Sequence, residues 1–148
     1  MSTLIENKKA RLRFETLETY QAGIELFGYE VKSVRSKLGS LEGARVLVRG
    51  GEAFLVGMTV PAYQLANAPA DYDPERPRRL LLSRKEIAEL LDAESKKGLT
   101  VVPFEVYTSG RYVKARINIV RGKGKADRRE DLKRLEAKKD ADRAMRQK

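Results

Sequence analysis

The feature that most limits what this chain can fold into is a pair of alternating runs, each folded back at glycine. Residues 44–49 and 52–60 are rich in Val, Leu and Phe and are separated only by Gly50-Gly51. Both glycines reach positive φ without steric penalty, so a tight hairpin is the predicted connection. In the second run Phe54, Val56, Met58 and Val60 are expected on one face, and Pro61 ends it. Residues 100–108 and 111–120 repeat the arrangement across Ser109-Gly110. There Val113, Ala115, Ile117 and Ile119 share one face, and Tyr112, Lys114, Arg116 and Asn118 the other, which is basic and carries an aromatic. Tyr20, Ala22, Ile24 and Leu26 alternate in the same way and predict one more strand.

Two short helices interrupt these strands. Val31, Val34 and Leu38 are spaced three and four apart, with Gly39 placed to close the helix in a left-handed cap. Ser83-Arg84-Lys85-Glu86 reads as a capping box ahead of Ile87, Leu90 and Leu91, and Gly98 stands where a C-terminal cap belongs. Residues 61–79, with Pro61, Pro69, Pro74 and Pro77 and with Arg76, Arg78 and Arg79, read as a long loop, and residues 7–13 as a short basic segment. The expected fold is mainly β with flanking helices: a small closed antiparallel barrel, because closure removes exposed sheet edges. Alternation does not distinguish an OB-like barrel from an SH3-like one.

Composition narrows the function. The 148 residues suit one compact domain with an appendage, and 31 Lys and Arg against 21 Asp and Glu leave a net charge of +10, which favours phosphate-rich partners. With no Cys and no His, thiolate metal sites, Cys–His pairs and Ser–His–Asp triads are excluded. The carboxylate pairs Glu15/Glu18, Glu86/Glu89 and Asp140/Asp142 lie among Lys or Arg, where solvated ion pairing accounts for them. A binding protein without metal or cofactor is expected, not an enzyme. No apolar run approaches the roughly 20 residues of a membrane helix. Residues 1–6 lack a signal-peptide pattern, so the expected location is cytoplasmic.

The chain changes character at Arg121. Residues 121–148 hold twelve Lys or Arg against six Asp or Glu, a net of +6 in the last 28 residues, with Leu132, Leu135 and Met145 as their bulky apolar residues. So little apolar surface does not offset the entropy of ordering, and disorder in isolation is the expectation. Asp127 and Glu130 are nonetheless spaced as an N-cap and its partner, and good helix formers follow, so a polyanion would favour a helix. The expected division is therefore 1–120 for the barrel and 121–148 for the tail. Gly122-Lys123-Gly124-Lys125 joins them as a hinge suited to phosphate, without the full pattern of a nucleotide-hydrolysing loop.

Asn7-Lys8-Lys9-Ala10-Arg11, Ala22-Gly23-Ile24, Gly28-Tyr29-Glu30-Val31-Lys32-Ser33-Val34-Arg35, Arg78-Arg79-Leu80-Leu81-Leu82, Lys97-Gly98-Leu99-Thr100-Val101-Val102-Pro103 and Asp127-Arg128-Arg129-Glu130 follow one another in this order. From about residue 7 to the end the chain thus resembles the SmpB family, the protein partners of transfer-messenger RNA (tmRNA) in ribosome rescue. The resemblance implies an OB-like barrel, monomeric, that holds the transfer-RNA-like domain of tmRNA. It also implies a tail that becomes helical in the ribosomal decoding site and the empty mRNA channel. It ties Gln21, Leu81 and Lys114 to RNA binding, with Arg116 beside Lys114. Glu30, Lys32 and Ser33 join them from the most specific block, and Lys8, Lys9, Arg11, Lys123 and Lys125 as phosphate contacts. For the tail it points to Asp127, Arg128, Arg129, Lys133, Arg134 and Met145. Leu12, Gln21, Gly124 and Ala126 depart from the family pattern. The alternative reading is a general single-stranded or structured RNA-binding barrel of ribosomal type, although aromatic residues make up only 7% of the chain.

Overall fold

A computed structural model describes residues 2–63 and 68–122. In chain order these form β1 (Ser2–Glu6), α1 (Lys8–Arg13), β2 (Phe14–Ile24), α2 (Gly28–Arg35), β3 (Arg45–Arg49), β4 (Glu52–Val56), β5 (Arg78–Leu81), α3 (Arg84–Ser95), β6 (Leu99–Ser109) and β7 (Tyr112–Gly122). The tail positions named above, Lys123, Lys125, Asp127, Arg128, Arg129, Lys133, Arg134 and Met145, lie outside the described residues, as does the expected tail helix.

All seven strands join one antiparallel sheet in the order β1-β6-β7-β2-β5-β4-β3. The order ends on β1 and β3, which do not pair, so the expected closed barrel is corrected to an open, curled sheet. One cause is local. The Val48 amide on β3 donates to Glu94 Oε2 of α3 at 3.3 Å, so a helix and not a strand caps that edge. The sheet is also narrow at its middle, where β2 and β5 pair only at Gly23↔Leu81 and Ile24↔Leu80.

Both hairpins form at the glycines. Gly50 and Gly51 take φ of +60° and +77° between Arg49 and Glu52. The second turn shifts by one residue: Ser109 pairs with Tyr112, leaving Gly110, at φ +61°, and Arg111 as the loop. The expected phase of β4 is reversed. Ala53 and Leu55 are buried while Phe54 and Val56 are half-buried, and only beyond Gly57 do Met58 and Val60 turn inward. Gly57, at φ +81°, ends the strand against Gly43 and Ala44; a Cβ there would lie 3.1 Å from the Gly43 carbonyl oxygen. An alternation interrupted by a left-handed residue restarts on the opposite parity.

The capping box at α3 forms: Ser83 Oγ accepts from the Glu86 amide at 3.2 Å, and Glu86 Oε1 accepts from the Ser83 amide at 3.0 Å. α2 closes earlier than expected. Lys37, not Gly39, takes the left-handed position at φ +62°, with its amide donating to Val34 O (2.9 Å) and the Leu38 amide to Ser33 O (3.0 Å). The basic segment at residues 8–13 is itself α1, capped by Asn7. The Asn7 amide side chain is buried and donates to Leu41 O (3.2 Å) and Pro103 O (2.9 Å).

One face of the sheet carries the core, including Ala22, Leu55, Leu80, Val106, Ala115 and Ile117, closed by Val34 of α2 and Leu90 of α3. Burying each such Leu, Ile or Val stabilises the fold by roughly 1.5–3 kcal/mol. Among the described residues the opposite face is covered at one end, where α1 sets Ala10 on Val102, Phe104 and Val120. The remainder of that face carries the residues considered next.

Candidate nucleic-acid interface

The uncovered part of the outer face is built by register. Across the strands, Tyr107 of β6 stands opposite Lys114 of β7, Lys114 opposite Gly23 of β2, and Gly23 opposite Leu81 of β5. One step along, Glu105, Arg116 and Gln21 are aligned. Facing residues of a ladder project to the same side, so Gln21, Leu81 and Lys114, far apart in sequence, share one surface with Arg116. Leu81 is 48% exposed, a large apolar side chain kept at the surface. Gly23 lets it lie flat, since a Cβ at Gly23 would stand 3.2 Å from Leu81 Cβ and Cδ1. A groove of about 430 Å³ opens here, lined by Gly23, Leu26, Val31, Leu81, Tyr112 and Lys114 among others. Its chemistry is an apolar floor with cations at the rim, which suits bases and phosphates together.

Arg116 is less free than its neighbour. Its Nη1 pairs with Glu105, and its guanidinium carbon lies 5.2 Å from the centre of the Tyr107 ring. Glu105, itself buried, also accepts from Thr3 Oγ1 at 3.2 Å and lies 3.6 Å from Arg11 Nη2. Two of the expected RNA-binding residues, Arg11 and Arg116, thus converge on one carboxylate. Burial raises the pKa of the Tyr107 phenol beneath them. Asn118, expected on the same face as Arg116, is buried there and donates to Thr16 Oγ1 and Thr19 Oγ1 at 3.2 Å each. Asn118 therefore offers no surface to a ligand, although its partners Thr16 and Thr19 are exposed.

Lys8 and Lys9 are exposed on α1, near the start of β2, whereas the groove lies at its end. Neither lysine is among the residues that line the groove. Lys9 pairs with Glu42 beside a second, smaller hollow of about 330 Å³ that also includes Arg13 and Arg45. The Lys9 ammonium holds the exposed Glu42 carboxyl below its ordinary pKa.

The block containing Glu30 divides between surface and interior. Lys32 is exposed on α2, but Glu30 and Ser33 are fully buried, so neither offers a surface to RNA as expected. Ser33 Oγ donates to Pro61 O. Glu30 is the centre of an internal ionic network. Its Oε2 accepts from Arg78 Nη2 (2.7 Å), Arg78 Nε (3.0 Å), Tyr72 Oη (2.9 Å) and Arg76 Nε (3.1 Å). Its Oε1 accepts from Arg76 Nη2 and from the Phe27 amide (2.8 Å). Burial alone would raise the Glu30 pKa; the bonds from Arg76, Phe27 and Arg78 outweigh it and hold the carboxyl below its ordinary 4.5. Burial and the Glu30 carboxylate push the Tyr72 phenol up to about 12. Arg78, also fully buried, gives its remaining donors to Met58 O, Pro74 O and Arg76 O. The network pins residues 72–78 to α2 and so fixes the side of the groove that α2 lines.

Reasoning from sequence passed over Arg76, Arg78 and Tyr72 as loop residues. A usable signal existed: Arg78 alternates with the buried Leu80, and Glu30 stands at helical spacing from Ser33 and Val34. Among the described residues no group of His, Cys, Asp or Glu could hold a metal, and no helix is long and apolar enough to cross a membrane.

Comparison with known proteins agrees with this architecture. The SsrA-binding protein of Microcystis aeruginosa is 44% identical over 142 residues, 96% of this chain and 92% of that protein. That of Thermosipho africanus is 42% identical over 137 residues, 92% of this chain and 91% of that protein. A chain from a solved structure described as "tmRNA-SmpB: a journey to the center of the bacterial ribosome" superimposes with a TM-score of 0.68 at 37% identity, covering 86% of this chain and 93% of that one. The family model described as SmpB protein matches residues 4–147. With that match across nearly its whole length, the chain belongs to the SmpB family.

Proposed function

We propose that this chain binds the transfer-RNA-like domain of tmRNA and delivers it to stalled ribosomes for trans-translation. The observation that carries the reading is the meeting of Gln21, Leu81 and Lys114 on one face of the sheet, beside a groove that Leu81 and Lys114 line. Membership of a family whose relatives are named SsrA-binding proteins supports it. The folded body grips RNA through Leu81 and the groove floor, with Gln21 as hydrogen-bonding partner and Lys114, Arg116 and Lys32 meeting phosphate. Lys8, Lys9 and Arg11 make a separate cationic surface on α1, and Lys123 and Lys125 add phosphate contacts. Residues 121–148, at net +6, occupy the decoding site and mRNA channel through Asp127, Arg128, Arg129, Lys133, Arg134 and Met145. The work is done by binding, without a bond made or broken by the protein.

The test separates the two parts. A chain ending at Ala126 is expected to keep its affinity for the transfer-RNA-like domain, within about threefold, and to lose rescue of stalled ribosomes in translation extracts. A collapse of RNA affinity would refute the division of labour. Equal affinity of the full chain for the domain and for a scrambled RNA, at every salt concentration, would leave only nonspecific phosphate binding.

A further inference from the structure

We propose that Phe27, backed by Arg76, is a stacking platform for one unpaired nucleobase of the bound RNA. The inference rests on the RNA-binding reading above and adds to it a base contact beside the groove. Phe27 joins β2 to α2, directly after the groove residue Leu26, and is 50% exposed. A phenyl ring half in water contributes little to the fold, and a lone exposed aromatic would need no explanation. This one is not alone. The Arg76 guanidinium carbon lies 4.1 Å from the ring centre. That guanidinium is held in place: Nε donates to Glu30 Oε2 at 3.1 Å, Nη2 to Oε1, and Nη1 to Pro77 O at 3.3 Å.

The same buried carboxylate fixes the backbone beneath the ring, because Glu30 Oε1 accepts from the Phe27 amide at 2.8 Å. Glu30 therefore sets both the ring and the cation behind it. Tyr29 lies 5.6 Å from Phe27, tilted by 34°, and is steadied edge-on by Tyr72 at 5.0 Å. The ordering that a flexible aromatic would lose on binding has already been lost in folding. A flat, immobile, half-exposed ring backed by a fixed cation matches the π-face of a base, and RNA offers unstacked bases in its loops. The neighbourhood selects an anionic partner, since Lys32 and Arg35 are exposed along the same helix and Lys114 lines the adjoining groove. A purine gives the larger overlap.

The experiment titrates full-length protein against transfer-RNA-like domains that carry 2-aminopurine at one unpaired loop position at a time. At one position the wild type is expected to quench the fluorescence. Phe27→Tyr should quench it equally, and Phe27→Leu should leave it bright at saturation while binding about 5- to 150-fold more weakly. Identical signals for wild type and Phe27→Leu at every position, or affinities within twofold, would overturn the platform. A Lys114→Glu control run alongside distinguishes the failures. If only Lys114→Glu weakens binding, the groove stands and the platform falls; if neither variant matters, both readings fall. Unchanged RNA affinity of Phe27→Leu with lost ribosome rescue would assign the ring to a contact on the ribosome, and that too overturns the proposal.

Discussion

Replacing Glu30 by glutamine should be among the most destabilising single changes in the folded body. The substitution removes one charge and little volume, but it strands another. Arg78 is fully buried, and two of its nitrogens rely on Glu30 Oε2 at 2.7 and 3.0 Å. Carbonyls of Met58 and Pro74 would still accept from it, at 2.9 and 3.0 Å, but carbonyls do not neutralise a cation. Removing one partner of a buried pair costs about 3–5 kcal/mol. Against a typical total of roughly 5–15 kcal/mol, that is a large fraction of the stability. For a folded body of this size the midpoint should fall by roughly 10–20 °C in a thermal melt followed by circular dichroism.

The pH dependence has a definite sign. Glu30 has a lowered pKa in the folded state, so its contribution is complete above its ordinary value and is lost as pH falls through the lowered one. The gap between wild type and Glu30→Gln should therefore stay constant from about pH 5 to 8 and narrow only on further acidification. A midpoint shift under about 3 °C at neutral pH, or a gap that narrows as pH rises, would refute the assignment of Glu30 as the charge partner of Arg78.

Lys37→Gly should raise stability by about 0.5–1 kcal/mol in urea melts, because Lys37 takes φ +62° at the α2 cap; a loss would argue against that cap. Lys114→Glu should weaken binding to the transfer-RNA-like domain and reduce the slope of log affinity against log salt by about 1, read by fluorescence anisotropy; an unchanged slope would remove Lys114 from the phosphate contacts. Gly23→Ala should cost RNA affinity several-fold while changing stability by under about 1 kcal/mol, since the added methyl meets the surface side chain of Leu81 at 3.2 Å.

What could be read from the chain alone follows from how local the controlling physics is. The Gly50-Gly51 and Gly110 turns, the Ser83–Glu86 box and the inward face Val113, Ala115, Ile117 and Ile119 depend on a few neighbouring residues, and all form. The phase of β4 failed because Gly57 reads as an ordinary strand residue until its packing against Gly43 is known. Closure failed for a longer-range reason, since no local signal announces that Glu94 of α3 will take the Val48 amide. The missed first strand pairs with β6 about a hundred residues away, through Ser2↔Thr108 and Glu6↔Glu105. At the site, the common face of Lys114 and Arg116 was legible because alternation assigns a face, whereas Gln21 and Leu81 came only from the family resemblance, since the pairings that bring them to that face join distant strands. Glu30 was misplaced because a charged residue in a recognised block reads as a contact, whereas its partners Arg76 and Arg78 lie 46 and 48 residues further on.

Amide hydrogen exchange of the full-length protein, free and bound to the transfer-RNA-like domain, tests most directly whether the groove is where RNA sits. Slowed exchange should concentrate on the end of β2 around Gln21 and Gly23, on β5 at Leu81, on β7 from Tyr112 to Arg116, and on the start of α2. Exchange slowed instead on α3 and the β3–β4 hairpin, with those segments unchanged, would place the RNA on the opposite side of the molecule and contradict the assignment of the interface.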